Sequence, residues 1–358
     1  MKPPCLLHIG CPKTGTTAIQ RFMAQNRAAL LRAGILYPVS LALPNRESHS
    51  ALTAYSLDDA AESDVKQRWQ LTDSTSIRNF RGALRAALGA EMARHGEGTR
   101  LVICSNEHLA ASLQSPDDFA RLKEFLHTEF SSVRVVVYLR RQDRQRVSAY
   151  STYLRGGGTS RDILGNGRPY EDAKDGFLDY YSLLQAWSAA FGRGALSIRV
   201  YEDCKDRLIE NFLETLGLPV PKGLPMPPVA NSTLSELGQE MMRRINESPL
   251  FQERVRKAVV AVLNRRHAGR PRRPAQAAAR EFLGRFAEGN ARVWREFLPE
   301  RQHPLFDDDF SEYPAEEAAQ SLTFDAALEL IHDLAAELPE TQDPVLSVRK
   351  HRADPDGT

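Results

Sequence analysis

Gly10-Cys11-Pro12-Lys13-Thr14-Gly15-Thr16-Thr17 brings together the groups that hold a phosphate or sulfate: glycines that permit a tight turn, one lysine and a run of hydroxyls. In such a turn the backbone N–H groups converge on one point, and the positive end of a following helix favours an anion there. The lysine stands in an unusual place. In an ATP-binding loop it follows the second glycine directly, whereas here Thr16 takes that slot and Lys13 precedes Gly15. Lys13 therefore approaches the anion from the leading edge of the loop, while Thr16 and Thr17 offer hydroxyls from the first helical turn.

A second cation ends the β-branched run Arg134-Val135-Val136-Val137-Tyr138-Leu139-Arg140, and a turn into a helix then carries Ser148. An arginine grips a phosphate with two N–H groups, and a serine hydroxyl completes the grip. A third apolar run, Leu101-Val102-Ile103-Cys104, ends in Ser105-Asn106-Glu107-His108, where a carboxylate and an imidazole stand side by side. Either can take a proton from an acceptor. An acid at Glu107 can also cap the helix that begins near Leu109, since the helix dipole favours it.

These residues need strands ending at one edge. Cys5-Leu6-Leu7-His8-Ile9 reads as a buried strand, and the pattern after it as a helix over 17–33 closed by Gly34. A short strand at Ile35-Leu36-Tyr37-Pro38, a loop over 40–50 and amphipathic helices over 77–95 and 117–130 continue the alternation. The expected fold is α/β: a P-loop-like, three-layer parallel sheet of about five strands with helices on both faces, plus a C-terminal helical extension. In such sheets ligands sit outside the carboxyl ends of strands, so Lys13 and Arg140 can serve one nucleotide. Gly156-Gly157-Gly158 should break the helix bearing Ser148, and the polar segment to Gly176 is expected to be a mobile loop over the acceptor.

Together these motifs resemble sulfotransferases that use 3'-phosphoadenosine 5'-phosphosulfate (PAPS). Pro12-Lys13-Thr14-Gly15-Thr16-Thr17 is similar to that family's 5'-phosphosulfate loop, and Arg140 with Ser148 to its 3'-phosphate motif, in which arginine and serine have the same spacing. A weaker match is Ser197-Ile198-Arg199-Val200-Tyr201-Glu202-Asp203 followed by a leucine-rich helix. The likeness covers about residues 5–220. One departure matters: the family often has asparagine-proline after its arginine, and this chain has Arg141-Gln142. Arg140, Arg141 and Arg144 therefore compete for the phosphate, with Arg140 kept on its spacing to Ser148.

The resemblance implies PAPS as co-substrate, adenosine 3',5'-bisphosphate as product and no metal, although Asp308 and its neighbours leave an acidic run unaccounted for. It favours Glu107 as base with His108 second, as in the bacterial carbohydrate-type branch. His49 resembles a histidine that bacterial relatives place after a tyrosine-proline pair; it is either a residue lining the acceptor site, a role for which Arg155 is also a candidate, or a surface histidine of the loop. The implied acceptor is a small molecule or saccharide. A P-loop kinase and a non-catalytic nucleotide- or polyanion-binding protein are the alternatives.

The 358 residues, 42% hydrophobic and 26% charged, suffice for a PAPS-binding core over 1–220 with a helical acceptor-side extension over 221–340 of the same domain. Residues 341–358 are expected to be a disordered tail. A proline-rich stretch from Pro219 to Pro228 precedes a helix capped within Asn231-Ser232-Thr233-Leu234-Ser235, and 232–338 reads as mostly helical. A net charge of +1 argues for no particular partner, and no nucleic acid is expected. The basic run over 254–273 is either an anion grip or a solvated helix end. No apolar run suits a membrane span, and the first strand begins too soon for a signal peptide, so a cytoplasmic location is expected. Cys5, Cys11, Cys104 and Cys204 show no metal-ligand spacing; Cys11, in the loop, is either alkylatable or simply a small residue that fits.

Overall fold

The computed structural model describes residues 2–95, 98–165, 175–228, 233–248, 253–317 and 323–337. Strands β1 (Cys5–His8), β2 (Ile35–Leu36), β3 (Leu101–Ser105), β4 (Val133–Leu139) and β5 (Leu196–Val200) form one parallel sheet in the order β2-β3-β1-β4-β5. Parallel strands lie under crossover helices and are buried on both faces, which is why β1, β3 and β4 read as near-continuous apolar runs. On one face Leu6, Ile103, Val136 and Tyr138 meet helix α1 (Thr16–Gln25) and the helix Leu208–Glu214 through Ile19, Phe22, Met23 and Phe212. On the other, Leu7, Cys104, Val135 and Val137 meet the helices Ser74–His95, Pro116–Glu129 and Tyr180–Phe191 through Leu88, Phe125 and Trp187. The result is the P-loop-like, three-layer α/β architecture.

Its topology places the site. β1 is central, with His8 opposite Ser105 of β3 on one side and Val136 of β4 on the other. From β1 the chain runs outward to β2, and from β4 to β5 at the opposite edge. The switch between the two directions falls at the carboxyl end of β1, where such sheets bind ligands.

Local boundaries follow from side chains. The helix expected over 17–33 is interrupted at Asn26, whose Nδ2 donates to Phe22 O at 2.8 Å and competes with the helical ladder. It resumes as Arg27–Arg32 and stops at Gly34, which has φ 80°. Ser115 and Asp118 form a capping box that starts Pro116–Glu129. The helix bearing Ser148 spans Gln142–Arg155 and ends at the glycine triplet.

The chain forms two compact units. The first comprises Met1–Ala149, Asp162–Ala230 and Arg273–Glu316, and the second Tyr150–Arg161, Asn231–Arg272 and Glu317–Thr358. The stretch expected to be an extension feeds both. Helices Gln276–Gly284 and Ala287–Arg292 belong to the first, and Glu236–Glu247, Glu253–Arg266 and Phe324–Glu337 to the second. Within the stretch expected to be mostly helical, residues 298–317 are irregular, with prolines at 304 and 314 around three consecutive aspartates. In the second unit, buried Arg243 pairs with Glu240 at 2.6 Å and Glu247 at 2.5 Å. There Arg272 of the basic run pairs with Glu317 at 2.5 Å.

Part of the expected mobile loop (166–174), the start of the expected cap at Asn231-Ser232 and the expected tail (341–358) lie outside the described residues. Among the described residues no helix is long and apolar enough to cross a membrane.

Candidate functional site

The loop after β1 is built from left-handed residues. Gly10, Lys13 and Gly15 have φ of 48°, 67° and 76°. For the glycines this is free, but for Lys13 it costs about 1–2 kcal/mol, a strain retained when surrounding structure imposes it and often found at ligand sites. Glycine is also required by space, since a Cβ on Gly15 would lie 2.1 Å from Leu208 Cδ2. Gly15 is the N-cap of α1, no side chain caps that end, and its first turn carries no acid. The N–H groups of the turn are thus left for an anion. Thr16 is buried and Thr17 half-buried in that turn. Thr14 turns inward, its hydroxyl donating to Cys11 O at 2.7 Å, so it shapes the loop. Cys11 is fully buried, and burial pushes its thiol up to about 12. It is packed as a small residue, and burial disfavours its thiolate.

At the end of β4 the three arginines have different partners. Arg140 Nη1 donates to Lys13 O at 2.6 Å, and its guanidinium lies 5.0 Å from the centre of the Tyr201 ring. Its buried Nε has no hydrogen-bond partner among the described residues. Arg141 points elsewhere: fully buried, it binds Asp143 through Nε and Nη2, each at 2.8 Å, and Asp307 at 2.5 Å. Arg144 pairs with Asp307 at 2.7 Å and Glu312 at 2.8 Å. One turn into the helix, Gln145 Nε2 donates to Pro12 O at 2.9 Å. Ser148, three residues on along the same helix face, is half-buried. Asp308, left over from the acidic run, is exposed beside Arg280. Among the described residues no group of three or more His, Cys, Asp or Glu is placed to hold a metal ion.

At the end of β3, Glu107 occupies the N-cap position of the helix His108–Ser112 but makes no capping bond. Its carboxylate turns instead to α1 and the 40–50 loop. Gln20 Nε2 donates to Glu107 Oε2 at 2.6 Å and Ser48 Oγ to the same oxygen at 3.3 Å. A Cβ on Gly10 would lie 3.3 Å from Glu107 Cα, so the loop after β1 packs closely against the chain at Glu107. His108 is largely buried, and burial lowers its pKa against the opposing charge of Glu107. The ring is therefore neutral at neutral pH.

His49 has a different place from the one expected. It is fully buried against Tyr37, accepts from Ser105 N at Nδ1 (3.0 Å) and donates from Nε2 to Pro38 O (2.9 Å). Burial lowers its pKa to about 3. With both nitrogens engaged it braces the end of β3, and the acceptor-lining role gives way to a structural one. Arg155 belongs to the second unit, where Nε and Nη2 both donate to Asn264 Oδ1.

Four residues not singled out from the sequence join the site: Gln20, Ser48, Gln145 and Tyr201. Gln20 follows Thr16 by four residues on α1, a spacing that puts it on the loop's face. Tyr201 belongs to the strand-and-acidic-turn segment after Ser197, and lies 3.6 Å from where a Gly15 Cβ would stand. Ser48 carries no signal in its own neighbourhood.

A strand, a left-handed anion loop and an uncapped helix, with a cation from the adjacent strand, define a P-loop-like α/β protein. No family model matches the chain. It is 30% identical over 189 residues to an uncharacterized protein of Archaeoglobus fulgidus, a match covering 51% of this chain and 50% of that one. The chain thus spans about half the length of the curated relative it matches. Among solved structures, a sulfotransferase from Alicyclobacillus acidocaldarius matches with a TM-score of 0.41 and 13% identity, covering 69% of this chain and 93% of that one. The sulfotransferase domain of the Synechococcus PCC 7002 olefin synthase matches with a TM-score of 0.36 and 12% identity, covering 73% and 94%. The sulfotransferase domain from the curacin biosynthetic pathway gives 0.34 and 13%, covering 63% and 77%.

Proposed function

We propose that this protein is a sulfotransferase that moves a sulfuryl group from PAPS to a hydroxyl, with a sugar hydroxyl as the acceptor of choice. The observation that carries the proposal is the join between Lys13 and Arg140. The loop places its lysine before the second glycine, and that residue's carbonyl accepts a hydrogen bond from the arginine at the end of the neighbouring strand. Two cationic residues thus flank one anion-binding turn, as a nucleotide with separate 5' and 3' phosphates requires.

The roles follow from position. Pro12, Lys13, Thr14, Gly15, Thr16 and Thr17 form the cradle for the 5'-phosphosulfate: the backbone N–H groups from Lys13 to Thr17 and the hydroxyls of Thr16 and Thr17 donate hydrogen bonds, Lys13 adds charge, and Pro12 and the inward Thr14 hydroxyl shape the turn. Arg140 and Ser148 hold the 3'-phosphate. Glu107 Oε1 takes the acceptor's proton as the acceptor oxygen bonds to sulfur and the sulfur–oxygen bond to phosphate breaks, releasing adenosine 3',5'-bisphosphate. Lys13 and the α1 N-terminus stabilise the negative charge that grows on the leaving phosphate, so positioning and electrostatics carry most of the catalysis. Gln20 and Ser48 fix the orientation of the base. The carbohydrate acceptor is supported by the polar, carboxylate-centred end of β3 and by the chain's resemblance to the bacterial branch.

Calorimetric titration tests the donor. Adenosine 3',5'-bisphosphate should bind the wild type in preference to ATP with magnesium, and Lys13→Ala and Arg140→Ala should each weaken it roughly 10- to 100-fold, as loss of a charged hydrogen bond does. Preference for ATP with magnesium would turn the assignment to a kinase.

A further inference from the structure

Arg140 and Arg141 are neighbours, yet only Arg140 is turned to the phosphate loop. The segment that divides them is the irregular stretch 307–313. Arg141 is gripped on every side: Asp143 holds Nε and Nη2, Asp307 Oδ1 and Asp309 O hold Nη1 at 2.5 and 2.7 Å, and its guanidinium lies 4.4 Å from the centre of the Phe310 ring. Asp307 spans both competing arginines, since its other oxygen pairs with Arg144. Tyr313 OH donates to Asp143 Oδ2 at 2.6 Å and ties down the far end. The backbone between is pinned as well. Tyr180 OH donates to Arg140 O at 2.6 Å, and Arg141 N donates to Glu202 Oε1 at 3.1 Å. Hydrogen bonds and opposite charge outweigh burial to raise the pKa of Arg141 and Arg144 and lower that of Asp307, so all three stay charged.

Resting on the sulfotransferase assignment above, we infer that Asp307 is a positioning residue: by holding Arg141 and Arg144 it fixes the start of the helix Gln142–Arg155 and aims Arg140 at the 3'-phosphate. The sign of the effect separates this role from simple electrostatics. Removing an acid near an anion site should, on charge alone, tighten binding of the anion. Loss of positioning should weaken it, and only for ligands that carry the 3'-phosphate.

Arg141→Ala would deprive buried Asp143 of its arginine and is liable to unfold the chain, so the test uses Asp307, whose side chain is 46% exposed. Adenosine 3',5'-bisphosphate and adenosine 5'-monophosphate are titrated by calorimetry into the full chain as wild type, Asp307→Asn and Asp307→Glu. Asp307→Asn should weaken the bisphosphate roughly tenfold, within the range of couplings in a shared ion network, and the monophosphate by less than about twofold. Asp307→Glu, which keeps the charge, should restore most of the difference. Bisphosphate affinity that is unchanged or tighter, or a parallel loss for both ligands, would overturn the positioning role while leaving the donor assignment intact. A wild type that binds both nucleotides equally would overturn the donor assignment and this inference with it.

Discussion

The loop after β1 and the end of β3 touch at Gly10 and Glu107, but they are held by different means. The loop is held by backbone: left-handed residues at 10, 13 and 15, an uncapped helix start, and carbonyls that accept from Arg140 and Gln145. The β3 end is held by side chains from distant parts of the chain, Gln20 and Ser48 on Glu107, His8 on Ser105 and His49 on the Ser105 amide. Backbone geometry suits a site that must meet a fixed anion. A network of neutral polar groups suits one that must orient a carboxylate and still leave an oxygen for a proton.

The largest effect should come from separating the two tasks. Glu107→Gln keeps the side-chain shape and an acceptor for Gln20, so bisphosphate affinity should stay within about twofold while turnover falls roughly 100- to 10,000-fold, the range of general-base catalysis. Turnover that survives the change would transfer the base to His108 or remove general-base catalysis altogether.

A smaller effect should come from forcing the two regions apart where they meet. Gly10→Ala puts a methyl group 2.6 Å from Thr16 Cγ2 and 3.3 Å from Glu107 Cα at a φ of 48°. The left-handed backbone and the overlap together should cost roughly 2–3 kcal/mol in urea unfolding and weaken bisphosphate binding and turnover alike. Loss of turnover with full nucleotide affinity would mean that the loop tolerates the push and only the β3 end yields.

The difference between the regions also decides what could be read from the sequence. Glycine spacing, a lysine and a pair of threonines act within a few residues of one another, so the loop is visible as a motif, and so is the parallel sheet through its apolar runs. That Arg141 and Arg144 are taken up in ion pairs while Arg140 turns to the loop depends on Asp307 and Glu312, far along the chain in a stretch that pattern alone reads as helix. The 40–50 loop misleads for a similar reason. A histidine in a polar loop reads as exposed, yet His49 closes over the end of β3 because Ser105 N and Pro38 O supply partners for both of its nitrogens. Glu107 was open to a capping role on sequence, and only the position of Gln20 shows that its carboxylate points away from the helix it precedes.

The smallest and most selective effect is one of pH, and it should appear at the side-chain-held end alone. His8 is fully buried between Tyr138 and Phe212, its Nδ1 on Ser105 Oγ at 2.8 Å and its Nε2 without a hydrogen-bond partner among the described residues. Burial lowers its pKa from 6.5 to about 4, against the opposing charge of Glu107. In the unfolded chain the same imidazole binds a proton near its ordinary value, so between pH 6.5 and 4 the unfolded state holds more protons than the folded one. Its contribution to stability is therefore complete above pH 6.5 and is lost as pH falls toward 4, at up to about 1.4 kcal/mol per pH unit. His49 acts with the same sign and over a wider window, since its pKa is about 3. Urea unfolding of His8→Asn at several pH values in that window should show the slope of stability against pH reduced by about one proton relative to wild type. An undiminished slope would mean that His8 titrates normally in the folded protein and that the end of β3 is wetter than its hydrogen bonds imply. A reduced slope would tie the acid sensitivity of the fold to the residues behind Glu107.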